Sequence, residues 1–477
     1  MADRGAISFG TTEHSLARLM SLPLKLVPAL PQKHIIPTGF NNGIEPIVTG
    51  DVARAFDIYA GRFEFAGEVI LSTPHEVFAL PQGQAAWRHE LLSLDWLRHF
   101  ASSQRNLHNQ HALRLLHYWS HAKNHKPSFQ QCVKTTCALA IHGHSIAKRC
   151  ERDLQLTFLK IVSDALRILV SHRHRNAEEA LDKAMAISYC LTAFQGLSHL
   201  QKLATDLIER NLDQVILLDG GHASGDIQKL ITFLDLAQPL GQTKSNAALT
   251  HAVNRSLALL RLLQGADGKL SPLLNGEFDP KHYFAIGEHE IARPNLALQS
   301  GFARLDQGKA TLIADTSSAL SIDFSYGVER VFHALPLKAG QRQAASLQIV
   351  PQGQALLMQT STTSRTIFLS ADGNDLRIED RFYKAASTEI KLLLPSGIRL
   401  STLMEGQAIM LIMPDNTVWH LKQRGGSLQI GRAAKYSEIV IKPTENSVSG
   451  RINWSFKKQA APTKPPPKKQ IPSDLLI

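Results

Sequence analysis

Asp51-Val52-Ala53-Arg54-Ala55-Phe56-Asp57-Ile58-Tyr59-Ala60-Gly61-Arg62-Phe63-Glu64-Phe65-Ala66-Gly67, followed by Trp87 and by Asp95-Trp96-Leu97-Arg98-His99, joins aromatic rings to glycine punctuation. It stands just ahead of a long series of amphipathic segments. Trp87, Leu91, Leu94 and Leu97 form one apolar stripe at helical spacing. The same period recurs in 111–123, 129–150, 154–170, 177–194, 197–216, 227–236 and 247–263. These read as about eight helices joined by short turns, the connections expected of antiparallel neighbours. A helix pair cannot bury both its faces alone, so such a succession forms a bundle, a solenoid or a closed toroid. Periodicity does not choose among the three.

Working outward, the period changes near residue 270. Gly265-Ala266-Asp267-Gly268-Lys269-Leu270 and Asn275-Gly276-Glu277 are turn signals. Beyond about residue 296 come short alternating segments at 301–305, 310–314, 320–324, 355–358, 366–369, 390–394, 409–413, 417–421, 439–441 and 452–456. Ala371-Asp372-Gly373-Asn374 and Pro414-Asp415-Asn416 punctuate them. This spacing predicts an antiparallel β-sandwich. Before the helices, Pro23, Pro28, Pro31, Pro37 and Pro46 keep the first fifty residues from forming a long helix. Pro462 to Pro472 is Pro/Lys-rich and reads as a disordered tail.

Bulk properties narrow the class. A chain of 477 residues exceeds one ordinary core, and 44% hydrophobic with 19% charged residues is globular. No stretch reaches the roughly 18 apolar residues of a membrane span. The first thirty residues do not read as a secretory signal, because Asp3, Glu13, Arg18, Lys25 and the prolines interrupt the apolar run. The charge of +11 favours anionic partners. Part of it lies near the C-terminus in Lys457, Lys458, Lys464, Lys468 and Lys469, and no nucleic-acid-binding motif accompanies it.

Cys132, Cys137, Cys150 and Cys190 contain no Cys-x-x-Cys pair and read as buried core residues. His108, His111, His117, His121 and His125 share one helical stretch, with the last three on one face. A metal face there competes with a solvated polar face. With no carboxylate among them, the polar face is the simpler reading, and neither metal nor cofactor is expected.

Three glycine-bearing segments carry chemistry. Leu218-Asp219-Gly220-Gly221-His222-Ala223-Ser224 follows a helix, and its glycines allow a tight turn that leaves His222 accessible. The same glycines would serve an ordinary helix C-cap, with His222 satisfying a loop carbonyl. Asp267-Gly268-Lys269-Leu270 leads to Leu274-Asn275-Gly276-Glu277, with Lys281, His282 and Tyr283 close behind. Ser300-Gly301-Phe302-Ala303-Arg304-Leu305 opens the β-rich half.

In this order and spacing the chain resembles the bacterial heparinase II/III-like proteins over most of residues 50–457. The resemblance implies an N-terminal α/α toroid followed by an antiparallel β-sandwich. On this reading residues 1–84 are an arm and aromatic segment packing on the toroid. The toroid is 85–290, the sandwich 291–457 and the tail 458–477. It further implies a polysaccharide lyase acting on uronic-acid sugars by β-elimination, and a place in the periplasm or cell envelope. Elimination needs a group that neutralises the uronate carboxylate, a base for the C5 proton and an acid for the leaving oxygen. The matching positions make His222, Tyr283 and His282 the candidate catalytic residues. Asp219, Arg304, Asn275 and Lys281 are the candidate contacts to an acidic polysaccharide.

The chain also departs from the family. Ser224 is followed by Gly225 and Asp226 where a basic residue is usual, Thr316-Ser317-Ser318-Ala319 holds no His, and neither does 151–158 where an Asn-His pair is usual. Loss of one general acid or base costs on the order of 10²–10⁴ in rate. Two functions from different classes therefore follow: a lyase, or a polysaccharide-binding or envelope-assembly protein that keeps the fold without the catalysis. A helical scaffold fused to a β-sandwich adaptor is a third.

Overall fold

The computed structural model describes residues 35–79, 83–103, 105–122, 127–243, 246–274, 283, 292–317, 319–337, 341–383, 389–404, 407–433, 436–443 and 450–459. Asn275, Lys281, His282, His125 and the Pro/Lys-rich tail beyond Gln459 lie outside the described residues.

The aromatic segment forms a helix, Val52–Tyr59, and a hairpin, Arg62–Phe65 with Glu68–Leu71. Asp51 caps the helix by accepting from the Ala53 amide at 2.8 Å. Phe63 and Phe65 point inward, and Phe65 packs edge-on against Trp87, whose indole N–H donates to the Phe63 carbonyl. The stripe from Trp87 to Leu97 is not one helix. Ala85–Ser93 ends at Leu94, which is fully buried at a φ of 64°, and Leu97–Ser103 starts afresh. Hydrophobic spacing survives the break because both pieces face one core.

The remaining helices run Glu76–Ala79, Asn106–His121, Phe129–Ala138, His144–Ala147, Arg152–Ser171, Ala177–Ala193, Gln201–Val215, Ile227–Gln242 and Ala247–Leu263. The span read as 129–150 is interrupted by a π turn at Leu139–Gly143. The helix expected to end at Leu236 continues through Pro239. The helices pack around one apolar core that begins at Ile35 and takes in Ala297 and Ile313 from the sandwich.

The C-terminal half is two eight-stranded antiparallel sheets. The inner sheet runs Gly426–Ala433, Tyr436–Pro443, Ile390–Leu394, Glu329–Ala334, Ile322–Tyr326, Ala310–Asp315, Phe302–Gln307, Leu296–Ala297. The outer sheet runs Arg342–Val350, Gly353–Thr360, Thr363–Ser370, Asp375–Phe382, Arg451–Lys458, Val418–Arg424, Ala408–Ile412, Arg399–Leu403. Leu305, Leu312 and Phe324 meet Trp419, Trp454 and Phe456 between the sheets. Ile313 and Phe302, on the opposite face, pack into the helical core. Ala310–Asp315 is therefore covered on both sides and buried almost throughout. The order is toroid, inner sheet, outer sheet, and one face of the outer sheet is left to solvent.

A candidate site at the toroid loop and its joint with the sandwich

After the helix Gln201–Val215 the chain turns back on itself. Ile216 bridges to His222, the Leu217 amide donates to the Gly221 carbonyl, and the Ala223 amide donates to the Val215 carbonyl, both at 2.8 Å. The glycines are needed for more than a turn. Gly220 has a φ of +92°, and a Cβ there would stand 2.1 Å from the Arg255 carbonyl oxygen. A Cβ at Gly221 would stand 2.0 Å from Ser300 Oγ. Asp219 accepts from the Ser300 amide at 2.7 Å and from its hydroxyl at 2.6 Å. Asp219, expected to touch substrate, is thus engaged in holding the toroid loop to the first turn of the sandwich.

Arg304, also expected to touch substrate, has a similar place. It is 6% exposed. Its Nε donates to Asp306 at 2.8 Å, its Nη1 to the carbonyls of Leu262 and Gln264, and its Nη2 to Thr311. It closes the C-terminal end of the helix Ala247–Leu263 against the inner sheet, satisfying carbonyls that a helix end leaves open. The Asp267-Gly268 loop makes a third tie: Arg330 bonds Asp323 at 2.8 Å and reaches Asp267 at 3.8 Å, and Ser271 donates to Asp323 at 2.9 Å.

His222 and Tyr283 are not brought together by any hydrogen bond among the described residues. His222 is 7% exposed. Its Nδ1 accepts from the Ser224 amide at 3.2 Å and lies 2.7 Å from the Ser224 hydroxyl, which leaves the proton of the neutral ring on Nε2. Burial lowers its pKa, so the ring is neutral at pH 7, with Glu178 pulling it up and Lys229 down. Tyr283 is 4% exposed. Its hydroxyl donates to Asp235 at 2.9 Å, and its carbonyl accepts from Gln238 at 2.8 Å. Burial, and then the Asp235 carboxylate, push the phenol far above its ordinary range.

Around His222 stand groups that the motifs did not reveal. Lys229 bonds Glu178 at 2.8 Å. Asp182, one turn along from Glu178, is pushed up to about 7 by burial first and then by Glu178, with Lys229 pulling it back. No hydrogen bond holds the Asp182 carboxyl among the described residues. Its neighbour Lys183, by contrast, donates to the Val170 and His172 carbonyls and caps the helix Arg152–Ser171. The sequence did carry a signal here: an Asp at i+4 from a Glu, in the run 180–190 whose other polar residues are Lys183, Ser188 and Tyr189. A separate cluster lies at the π turn, where burial holds His142 and His99 at about 4 beside Arg98. His117 and His121 have rings 4.4 Å apart on an exposed helix face. Among the described residues no group of His, Cys, Asp and Glu could hold a metal ion.

With that geometry in view, the arrangement of toroid and sandwich can be set beside solved structures. It superposes on the heparan sulfate lyase HepC from Pedobacter heparinus with a TM-score of 0.62 at 10% identity, covering 87% of this chain and 83% of that one. The chain has the heparinase II/III-like fold. A heparinase III, the BT4657 gene product, superposes at 0.63 with 12% identity over 93% of this chain and 88% of its own. A further heparinase III gives 0.59, 11%, 86% and 85%. No family profile and no curated protein matches the sequence. At such identities the heparinase II/III-like likeness establishes the architecture, and the roles of His222, Tyr283 and their neighbours rest on this chain's own chemistry. Among the described residues no helix is long and apolar enough to cross a membrane.

Proposed function

We propose that this protein engages an acidic, uronate-bearing polysaccharide on a lyase fold, and that elimination by His222 and Tyr283 is not retained. The observation that carries this is the Tyr283–Asp235 hydrogen bond. An elimination base must give up its proton near neutral pH. Tyr283 keeps its proton, directs it at a carboxylate and is almost closed to solvent. Asp219 and Arg304 are engaged in joining the two halves, which removes two intended substrate contacts. The fold of the solved lyases and the basic charge support polysaccharide as the partner.

The experiment incubates purified protein with uronic-acid polysaccharides, following both the ultraviolet absorbance of unsaturated products and retention of the polysaccharide in a pull-down. Retention without product is expected. Product formation abolished by Tyr283→Phe would overturn the reading.

One observation favours a second reading, a lyase that has moved its acid–base chemistry. A carboxyl near 7 is poised to give and take protons at neutral pH, and Asp182 has that value within reach of Lys229 and Glu178. Here product would form, would survive Tyr283→Phe and would be lost in Asp182→Asn.

A further inference from the structure

The solvent face of the outer sheet carries two adjoining cavities of about 410 and 520 Å³. They share Arg377, Lys422 and Ser455 and so form one groove across the strands Asp375–Phe382, Arg451–Lys458 and Val418–Arg424. The register sets the side chains in rows. Phe368, Arg377, Ser455 and Lys422 make one row; Thr366, Glu379, Asn453 and Arg424 the next; Asp375, Lys457 and His420 the third. Neighbours lie about 5 Å apart across strands and about 7 Å apart along them.

Cations and anions are unequal on this face. Asp375 pairs with Arg377, and Glu379 pairs with Arg381 and Arg451. Lys422, Arg424 and Lys457 are exposed and have no carboxylate in ion-pair range among the described residues. One aromatic ring accompanies them: the Arg377 guanidinium lies over Phe368 at 5.7 Å. A twisted sheet tolerates such a like-charged cluster, but folding does not require it, since the core of the sandwich is made by the inward residues of these strands, Leu376, Ile378, Trp419, Leu421, Ile452, Trp454 and Phe456.

We propose that this groove binds an anionic carbohydrate chain, sulfated or carboxylated, as a second site on the side of the sandwich facing away from the toroid. The recognising chemistry is a line of charge-assisted donors above aromatic and hydroxyl-bearing positions, which suits repeating anionic groups on sugar rings. The substrate class rests on the function proposed above; the location does not. The uncompensated lysines and arginine supply affinity that weakens as salt rises.

The test compares the full chain with a Lys422→Glu, Arg424→Glu, Lys457→Glu variant and with an Asp182→Asn, Lys229→Ala variant of the toroid. Heparin and polygalacturonate are the probes, titrated at two salt concentrations with a DNA duplex alongside. The groove variant is expected to bind heparin at least ten-fold more weakly, with a shallower salt dependence and an unchanged melting temperature, while the toroid variant keeps this binding. Undiminished binding in the groove variant that the toroid variant loses would overturn the outer site and leave the proposed function standing. Absence of binding to either glycan by the full chain would overturn both. Equal or tighter binding of DNA, lost in the groove variant, would make the face a nucleic-acid site and overturn the carbohydrate assignment.

Discussion

Asp219 and Ser300 stand 81 residues apart in the chain, and the Asp219 carboxylate accepts both the backbone amide and the hydroxyl of Ser300. This pair fastens the loop after the helix Gln201–Val215 to the turn that opens the sandwich. Asp219→Ala leaves the Ser300 amide without its partner and should cost about 1–3 kcal/mol. Ser300→Ala, which keeps the amide bond, should cost less. Gly221→Ala should cost more than either, because the added methyl meets Ser300 Oγ at 2.0 Å. Urea melts of the three variants would show this order; a neutral Gly221→Ala would refute the packing argument.

The outer sheet encloses a fully buried ion pair. Arg365 bonds Asp380 at 2.6 and 3.1 Å and the Leu320 carbonyl at 2.5 Å, while the Trp454 indole donates to Asp380 at 2.8 Å. Arg365→Met should destabilise by roughly 3–5 kcal/mol, since it strands a buried carboxylate. Arg365→Met with Asp380→Leu should recover a large part of that loss. Equal stability of the single and double variants would show that the pairing is not what matters.

Burial holds His99, His142 and His333 at about 4, against 6.5 when unfolded. Between these values the unfolded chain binds protons that the folded chain refuses. The stability from this source is complete above about pH 6.5 and is lost as the pH falls toward 4. Calorimetry should show a melting temperature that declines over that range, with a shallower decline in His142→Gln. An identical slope in the variant would count against the burial of His142 as the cause.

Asp182 has the opposite sign. Its folded value of about 7 lies above the 3.8 of the unfolded chain, so its contribution is fully present below about pH 3.8 and is lost as the pH rises through 7. Asp182→Asn removes that penalty and should stabilise the protein above pH 7, by at most roughly 4 kcal/mol. The gain should fade on acidification to pH 5. A destabilised variant at pH 8 would show that the charged form makes an interaction of its own.

Helical period and turn chemistry placed most helices of the toroid and many strands of the sandwich. Where they failed, a neighbour distant in sequence had decided the matter. Leu94 breaks the stripe from Trp87 to Leu97 because both helices can bury against one core only if the chain bends there. Pro239 does not end its helix, because Leu240 and the residues around it are buried against the helical core. The strand Asp375–Phe382 is not among the alternating segments, since a charged residue, Asp380, takes an inward position beside Leu376 and Ile378, and only its pairing with Arg365 allows that.

The site divides in the same way. Asp219-Gly220-Gly221-His222 was legible as a special loop from its glycines alone, and a Tyr following a His at the junction was legible as chemically apt. Their engagement was not legible. Ser300, Asp235 and Gln238 fix what Asp219 and Tyr283 do, and none of them adjoins its partner in sequence. By itself the sequence determined that a run of helices is followed by a run of strands, because side-chain period and backbone punctuation are local properties of the chain. Only the tertiary structure decided which polar groups became joints, which kept a proton and which cations of the outer sheet stayed uncompensated. Hydrogen-bond pairing and desolvation are set by whatever folding brings alongside, and that is not written at any one position.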